Sequence, residues 1–261
     1  MPEPDTRPPE SHRRDFWDER YRLFPDLFGE RPNDFLVSSE VLLPRGGRVL
    51  VVGDGQGRNG VWLARRGFRV TAVDLSEVAC RQARERAVAA GVEIEVIHAD
   101  LLEWATAPAS QGPWDAIVWI FLHLSAHLRH RLAGLLGPRL APGGVLVMET
   151  YSTDQPAARQ AHGAVGGPRD PALLSRPQDA AEDWPCLEVE SRQVDRRVFE
   201  GRGHQGTSST VQVLGRPRPR TGPTPRRGVD GAGASDVVGP PRRIAGLRGE
   251  RSTGDPAAGS R

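Results

Sequence analysis

The chain has 261 residues, 38% of them hydrophobic, and a formal net charge of +2, enough for one domain with a core and an appendage. No apolar run approaches the roughly 18 residues of a membrane helix, and MPEPDTRPPESHRRDF at the start lacks the apolar stretch of a secretory signal. Cys80 and Cys186 match neither a disulfide framework nor a zinc pattern, so free thiols in a reducing cytoplasm are expected.

Residues 1–11 read as disordered. Helices are expected over Arg13–Leu23 and Asn33–Leu43, separated by FPDLFGERP, whose Gly29 and Pro32 break the pattern. GRVLVVG is a near-continuous apolar run of the kind found in strands buried on both faces. Asn59–Arg66 reads as a helix closed by Gly67. FRVTAVD is the next strand, and Ser76 caps a helix that runs to Ala90 and stops at Gly91. EIEVIHAD and PWDAIVWIFL follow as strands, Ser125 caps AHLRHRLAGLL, and APGGVLVMETY gives a fifth strand. From Tyr151 to Trp184 the sequence reads as loop-rich. CLEVESRQVDRRVF and TSSTVQVLGR, separated by EGRGHQG, form a terminal hairpin, so one of the two runs antiparallel.

From Pro217 onward the composition changes to Pro, Gly and Arg without aromatic residues or hydrophobic period, which predicts a disordered tail over 217–261. The tail holds nine arginines against four acids, +5, which leaves −3 on residues 1–216. The basic balance is therefore the tail's, and the domain, residues 12–216, carries no charge signal for nucleic acid. All 35 basic residues are arginine, in keeping with a GC-rich coding sequence.

Strand–helix alternation through five strands predicts an α/β fold: a doubly wound, Rossmann-like, mainly parallel sheet with helices on both faces. Its first turn, in VLVVGDGQGRNG, admits two registers. Gly53, Gly55 and Gly57 form a G-x-G-x-G turn, as in methyltransferases that use S-adenosylmethionine. Gly55, Gly57 and Gly60 fit the G-x-G-x-x-G fingerprint of NAD-dependent oxidoreductases. Either way, backbone N–H groups and a helix start face a ligand. Asp74, ending the second strand, suits the ribose of both cofactors. Asp100, ending the third strand, is placed to accept from an adenine amino group. With LAPGG before the fifth strand and the terminal hairpin, it favours the methyl donor.

FWDERY, GERPNDFL, VVGDGQGRNGVWLA, VTAVDLS, HADL, WDAIVWIFLHL, LAPGGVLVMETY, GGPRDPALL and RRVFEGRGHQGTSSTVQVLGR resemble the class I S-adenosylmethionine-dependent methyltransferases, and more narrowly their tellurite-resistance-type branch. The resemblance spans about 200 residues. It implies seven strands in the order 3-2-1-4-5-7-6, strand 7 antiparallel, and methyl transfer to a small-molecule acceptor. It places the cofactor on Gly53, Asp54, Gly55, Gly57, Asn59, Asp74, Leu75, Ser76, Asp100 and Leu101, under a cover of Trp17, Tyr21 and Phe28. Where the family has an acid two residues before the first glycine, this chain has Val51; Asp54 is expected to supply that carboxylate. Binding without turnover is the remaining alternative.

Because the sulfonium is already activated, methyl transfer asks mainly for alignment and exclusion of water, with a base only for protonated nucleophiles. The candidates are His123 after the fourth strand, Tyr151 after the fifth and His204 in the last hairpin. His127 and His130 lack a supporting metal motif and read as surface residues, and no metal is expected.

Overall fold

The structure, a computed structural model, describes residues 14–108 and 112–219. Helix α1 (Arg14–Leu23) precedes α2 (Asp34–Ser39), which tightens into a 3-10 turn over Glu40–Leu42. Then follow β1 (Arg48–Val52), α3 (Arg58–Arg65), β2 (Arg69–Asp74), α4 (Glu77–Ala89), β3 (Glu95–His98), α5 (Leu101–Thr106), β4 (Trp114–Ile120), α6 (Ala126–Leu136), β5 (Leu140–Tyr151), α7 (Gln155–His162), α8 (Asp179–Asp183), β6 (Leu187–Glu200) and β7 (His204–Pro217).

All seven strands join one sheet in the order β3-β2-β1-β4-β5-β7-β6. The first five are parallel, and β7 runs antiparallel to both its neighbours, β5 and β6. Alternate side chains point to opposite faces. On one face Leu50, Val52, Val73, Ile117, Trp119, Leu146 and Met148 form the main core with Trp104 of α5, Leu132 and Leu136 of α6 and Trp184 after α8. On the other, α3 packs against β2 and α1 against α4. β1 lies between β2 and β4, where the chain reverses its winding, and such folds bind ligands outside the strand ends there.

Three helices lie where the sequence read as connection. α5 follows β3 directly, and α7 and α8 occupy the segment between β5 and β6. Each is short, and α7 carries Pro156 in its first turn, so neither length nor period marks it. The hairpin loop is also shorter than expected, because His204 already belongs to β7. At the other end β7 reaches Pro217, paired with Leu187, and the Arg218 amide donates to the Cys186 carbonyl at 3.1 Å. The ordered chain thus passes the composition change that suggested an end at Arg216. The expectations for residues 1–11 and for most of the tail lie outside the described residues. Both cysteines are free, and among the described residues no helix is long and apolar enough to cross a membrane.

Candidate functional site

Between β1 and α3 the chain turns on three left-handed glycines, Gly53 (φ 64°), Gly55 (φ 58°) and Gly57 (φ 80°). A side chain at Gly55 would meet the Tyr21 hydroxyl at 2.7 Å, and one at Gly57 would meet Ala83 of α4 at 2.9 Å. Gly60 differs: it is already inside α3, and a Cβ there would run into Asp54. The turn therefore uses the Gly53-Gly55-Gly57 register, and Gly60 serves packing beneath it.

Asp54 is 6% exposed, with both carboxylate oxygens 3.2 Å from the Gly60 amide. It supports the helix start from below, so the carboxylate expected to face the cofactor's ammonium is engaged with this backbone amide. Val51 is enclosed in the sheet and adds no polar group. Burial pushes the Asp54 pKa up to about 7, opposed by the Gly60 hydrogen bond.

Asp74 accepts from the Gly55 amide (2.8 Å) and the Ser76 amide (2.9 Å), pinning the glycine turn to the end of β2. Each carboxylate oxygen has a second lone pair, so ribose hydroxyls can share the group. The Ser76 hydroxyl is spent on fold: it accepts from Ala79 N–H (3.1 Å) and donates to Asp18 (2.6 Å), which anchors α1 to α4. Asp18 escaped sequence reading. The Leu75 carbonyl receives the His98 Nε2 proton at 3.1 Å. Asp100 caps α5 by one oxygen, Oδ1, accepting from Leu102 and Glu103 amides at 2.8 and 3.1 Å; Leu101 packs beside the main core. Asn59 Oδ1 accepts from the Asn33 amide at 3.0 Å and ties α2 to the turn.

Above the turn, buried Tyr21 stacks on Trp17 at 5.6 Å and meets Phe28 edge-on at 6.2 Å. These groups fit S-adenosylmethionine: a side-chain-free turn and the amides opening α3 for the amino-acid end, Asp74 for the ribose, Asp100 and Leu101 for the adenine, and Tyr21 with Trp17 as cover.

The aromatic run continues from Phe28 to His204 (4.5 Å between ring centres), Phe121 (4.6 Å from His204) and Tyr151 (4.7 Å from Phe121), with His123 5.4 Å from Tyr151. His123, Tyr151 and His204, three strands apart in sequence, are thus brought together. Phe121 closes β4 at φ 53°, a strained conformation for an aromatic residue of the sort that gathers at functional sites. Trp119 Nε1 holds the turn by donating to the Leu122 carbonyl at 2.8 Å.

Three buried polar atoms here make no hydrogen bond: His123 Nε2, the Tyr151 hydroxyl, which has Ser208 nearby, and His204 Nδ1, which faces Glu200 Oε2 at 3.6 Å. Buried polar groups are normally satisfied, so His123 Nε2 and the Tyr151 hydroxyl are candidate ligand contacts. Burial, with His204 and Arg159 nearby, lowers the His123 pKa to about 3. Burial raises that of Tyr151, and it lowers that of His204 against the opposing pull of Glu200. Gly166 (φ 127°) and Gly167 (φ 81°) close over Tyr151, where any side chain would strike its ring or hydroxyl. Arg159 holds this loop through the Gly166 and Pro168 carbonyls at 3.0 and 2.7 Å. His127 and His130 are exposed on α6.

Beneath the cage lies an ion network that sequence reading also missed. Glu149 of β5, 0% exposed, accepts from Arg196 (2.8 and 2.5 Å), Asn33 (2.6 Å), Gln212 (2.9 Å) and Thr210 (3.2 Å). Glu200 accepts from Arg58 (2.6 Å), Asn33 (2.9 Å) and Arg196 (3.3 Å). Two carboxylates are balanced by two guanidiniums, as burial demands. The signal available was a charged residue inside an apolar strand, Glu149 in VLVMETY.

Comparison with known proteins agrees with this geometry. A model described as a methyltransferase domain matches residues 49–144. A thiopurine S-methyltransferase of Bordetella pertussis is 32% identical over 162 residues, covering 54% of this chain and 73% of that protein. Among solved structures, the CcbJ methyltransferase of Streptomyces caelestis superposes with a TM-score of 0.58 at 18% identity, over 81% of this chain and 100% of its own. TehB of Haemophilus influenzae gives 0.55 at 18% identity, over 78% and 67%. The magnesium protoporphyrin IX methyltransferase of Synechocystis, solved with S-adenosylhomocysteine bound, gives 0.55 at 16%, over 78% and 97%. At such identities the structures speak for the fold, and the Bordetella relative for the family. The chain belongs to the class I S-adenosylmethionine-dependent methyltransferases, enzymes that draw their methyl group from that cofactor.

Proposed function

We propose that the enzyme methylates a small molecule held in the cage of Phe28, Phe121, His123, Tyr151 and His204. The observation that carries this reading is the pair of buried polar atoms without a hydrogen bond, His123 Nε2 and the Tyr151 hydroxyl, set among the rings of Phe121 and His204. Aromatic faces bind a flat or apolar acceptor body, and the polar atoms fix its orientation. A closed loop over Tyr151 and the −3 charge of residues 1–216 speak against nucleic acid, and the setting of free thiols suits the cytoplasm. In this reading Tyr21, Gly53, Gly55, Gly57, Asp74, Asp100 and Leu101 hold the cofactor, Asp54, Asn59, Leu75 and Ser76 hold those residues, and the enzyme sits in the tellurite-resistance-type branch.

The test is a mass-spectrometric screen of the purified chain with S-adenosylmethionine and a panel: a thiopurine (after the Bordetella relative's name), an oxyanion, aliphatic thiols and phenols, with bulk RNA and protein alongside. A methylated small molecule is expected. Methyl label on RNA or protein alone, or no product from any member, contradicts the proposal.

A further inference from the structure

We propose that Glu200 is the residue that positions His204 as the acceptor-side base, keeping the ring's proton on Nδ1 and turning bare Nε2 to the acceptor. The inference rests on the small-molecule site above and adds the proton's route. Glu200 and Glu149 both lie near Tyr151, but of the three polar residues of the cage it is His204 that sets a ring nitrogen against a carboxylate oxygen. Its Nδ1 lies 3.6 Å from Glu200 Oε2, both groups are buried, and Nδ1 has no other partner. The other edge of the ring, at Cδ2 beside Nε2, faces Gly166 and Tyr151. By contrast, His123 meets a neutral hydroxyl, Thr150 Oγ1 at 3.0 Å, and has no acid to stabilise a second proton. Tyr151 is in an environment that resists ionisation.

Glu200 is itself fixed. Its Oε2 also accepts from Arg58 Nη2 at 2.6 Å, and Arg58 directly follows Gly57 of the cofactor turn. A shift of about half an ångström would bring Nδ1 and Oε2 within hydrogen-bond distance. The charged and titratable groups around His204 are Glu200, Glu149 and Arg58 on the network side, with His123 and Tyr151 on the cage side. Burial outweighs the opposing pull of Glu200, so the resting imidazole is neutral and free to take a proton.

The step balances as follows. An acceptor X–H gives its proton to His204 Nε2, and the X electron pair forms the X–CH3 bond. The methyl–sulfur bond breaks, with its pair passing to sulfur. Positive charge thereby moves from the sulfonium to the imidazolium, where Glu200 offsets it, and the proton later passes to water.

The experiment is nitrogen-detected NMR of the full-length chain labelled in histidine, with the His204 signal assigned by its absence in His204→Gln. At neutral pH the wild type is expected to show His204 with Nδ1 protonated and Nε2 bare. In Glu200→Gln the proton affinity of His204 is expected to fall about tenfold or more, as loss of a facing negative charge requires. A carboxylate that only braced Arg58, without facing Nδ1, would leave the tautomer unselected. An Nε2-protonated ring in the wild type overturns the proposal even if the variant does not fold, as does an unchanged pKa in a folded Glu200→Gln. Because no acceptor is added, failure here is separate from failure of the acceptor screen.

Discussion

Asp54 shows how one side chain can be recruited by fold rather than by ligand. Its carboxylate is buried under the turn it belongs to, against a backbone amide, with the second acid of the site, Asp74, nearby. Burial raises its pKa from an ordinary 3.8 to about 7, so the folded protein holds a proton that the unfolded chain releases. That contribution to stability is complete below about pH 3.8 and is lost as pH rises through about 7. Asparagine keeps the shape and the acceptor oxygen without titrating. The stability of the wild type relative to Asp54→Asn should therefore decline between pH 4 and pH 8. The decline should be a few kcal/mol at most, since a tenfold difference in proton affinity between folded and unfolded chain is worth about 1.4 kcal/mol. Denaturant melts of both proteins across that range measure it. A difference that stays flat or grows with pH contradicts the assignment.

At the scale of elements, the site depends on a network joining α2, α3, β5, β6 and β7. Removing one partner of a buried pair costs more than the pair is worth, because the survivor is left charged in a dry place. Arg196→Met leaves Glu149, fully enclosed, with neutral donors only. A loss of about 3–5 kcal/mol is expected in equilibrium denaturation; a loss below about 1 kcal/mol would show that water or another cation compensates. Much of the framework was legible in sequence. GRVLVVG, FRVTAVD and DAIVWI announce buried strands by apolar content alone, and Ser76, Gly67 and Gly91 mark helix ends by their own chemistry. The network was not legible, because Arg58 and Glu200 are 142 positions apart and no local period links them. Helices α5, α7 and α8, of six, eight and five residues, are too short to display a period and form because the sheet packs them. The cage was half legible. His123, Tyr151 and His204 follow from strand ends and the hairpin, whereas Phe121 matters through a backbone angle that no residue type announces.

Across the whole molecule, the proposed cofactor and acceptor regions share one edge of the sheet. The glycine turn, Asp74 and Asp100 stand at the ends of β1, β2 and β3, and the cage stands at the ends of β4 and β5 and the start of β7. Trp17, Tyr21 and Phe28 bridge them as a continuous aromatic run that ends on His204. This division makes a separable claim: residues at the β1–β2 end hold the cofactor and residues at the β4–β5 end hold the acceptor. Titration calorimetry of the full chain with S-adenosylhomocysteine tests it directly. One site per chain is expected, weakened by about 1.5–3 kcal/mol in Asp74→Ala, the scale of hydrogen bonds to a charged group, and unchanged within about twofold in His204→Ala, a difference smaller than one neutral hydrogen bond. Absence of binding, or Asp74→Ala binding as tightly as the parent, would contradict the account.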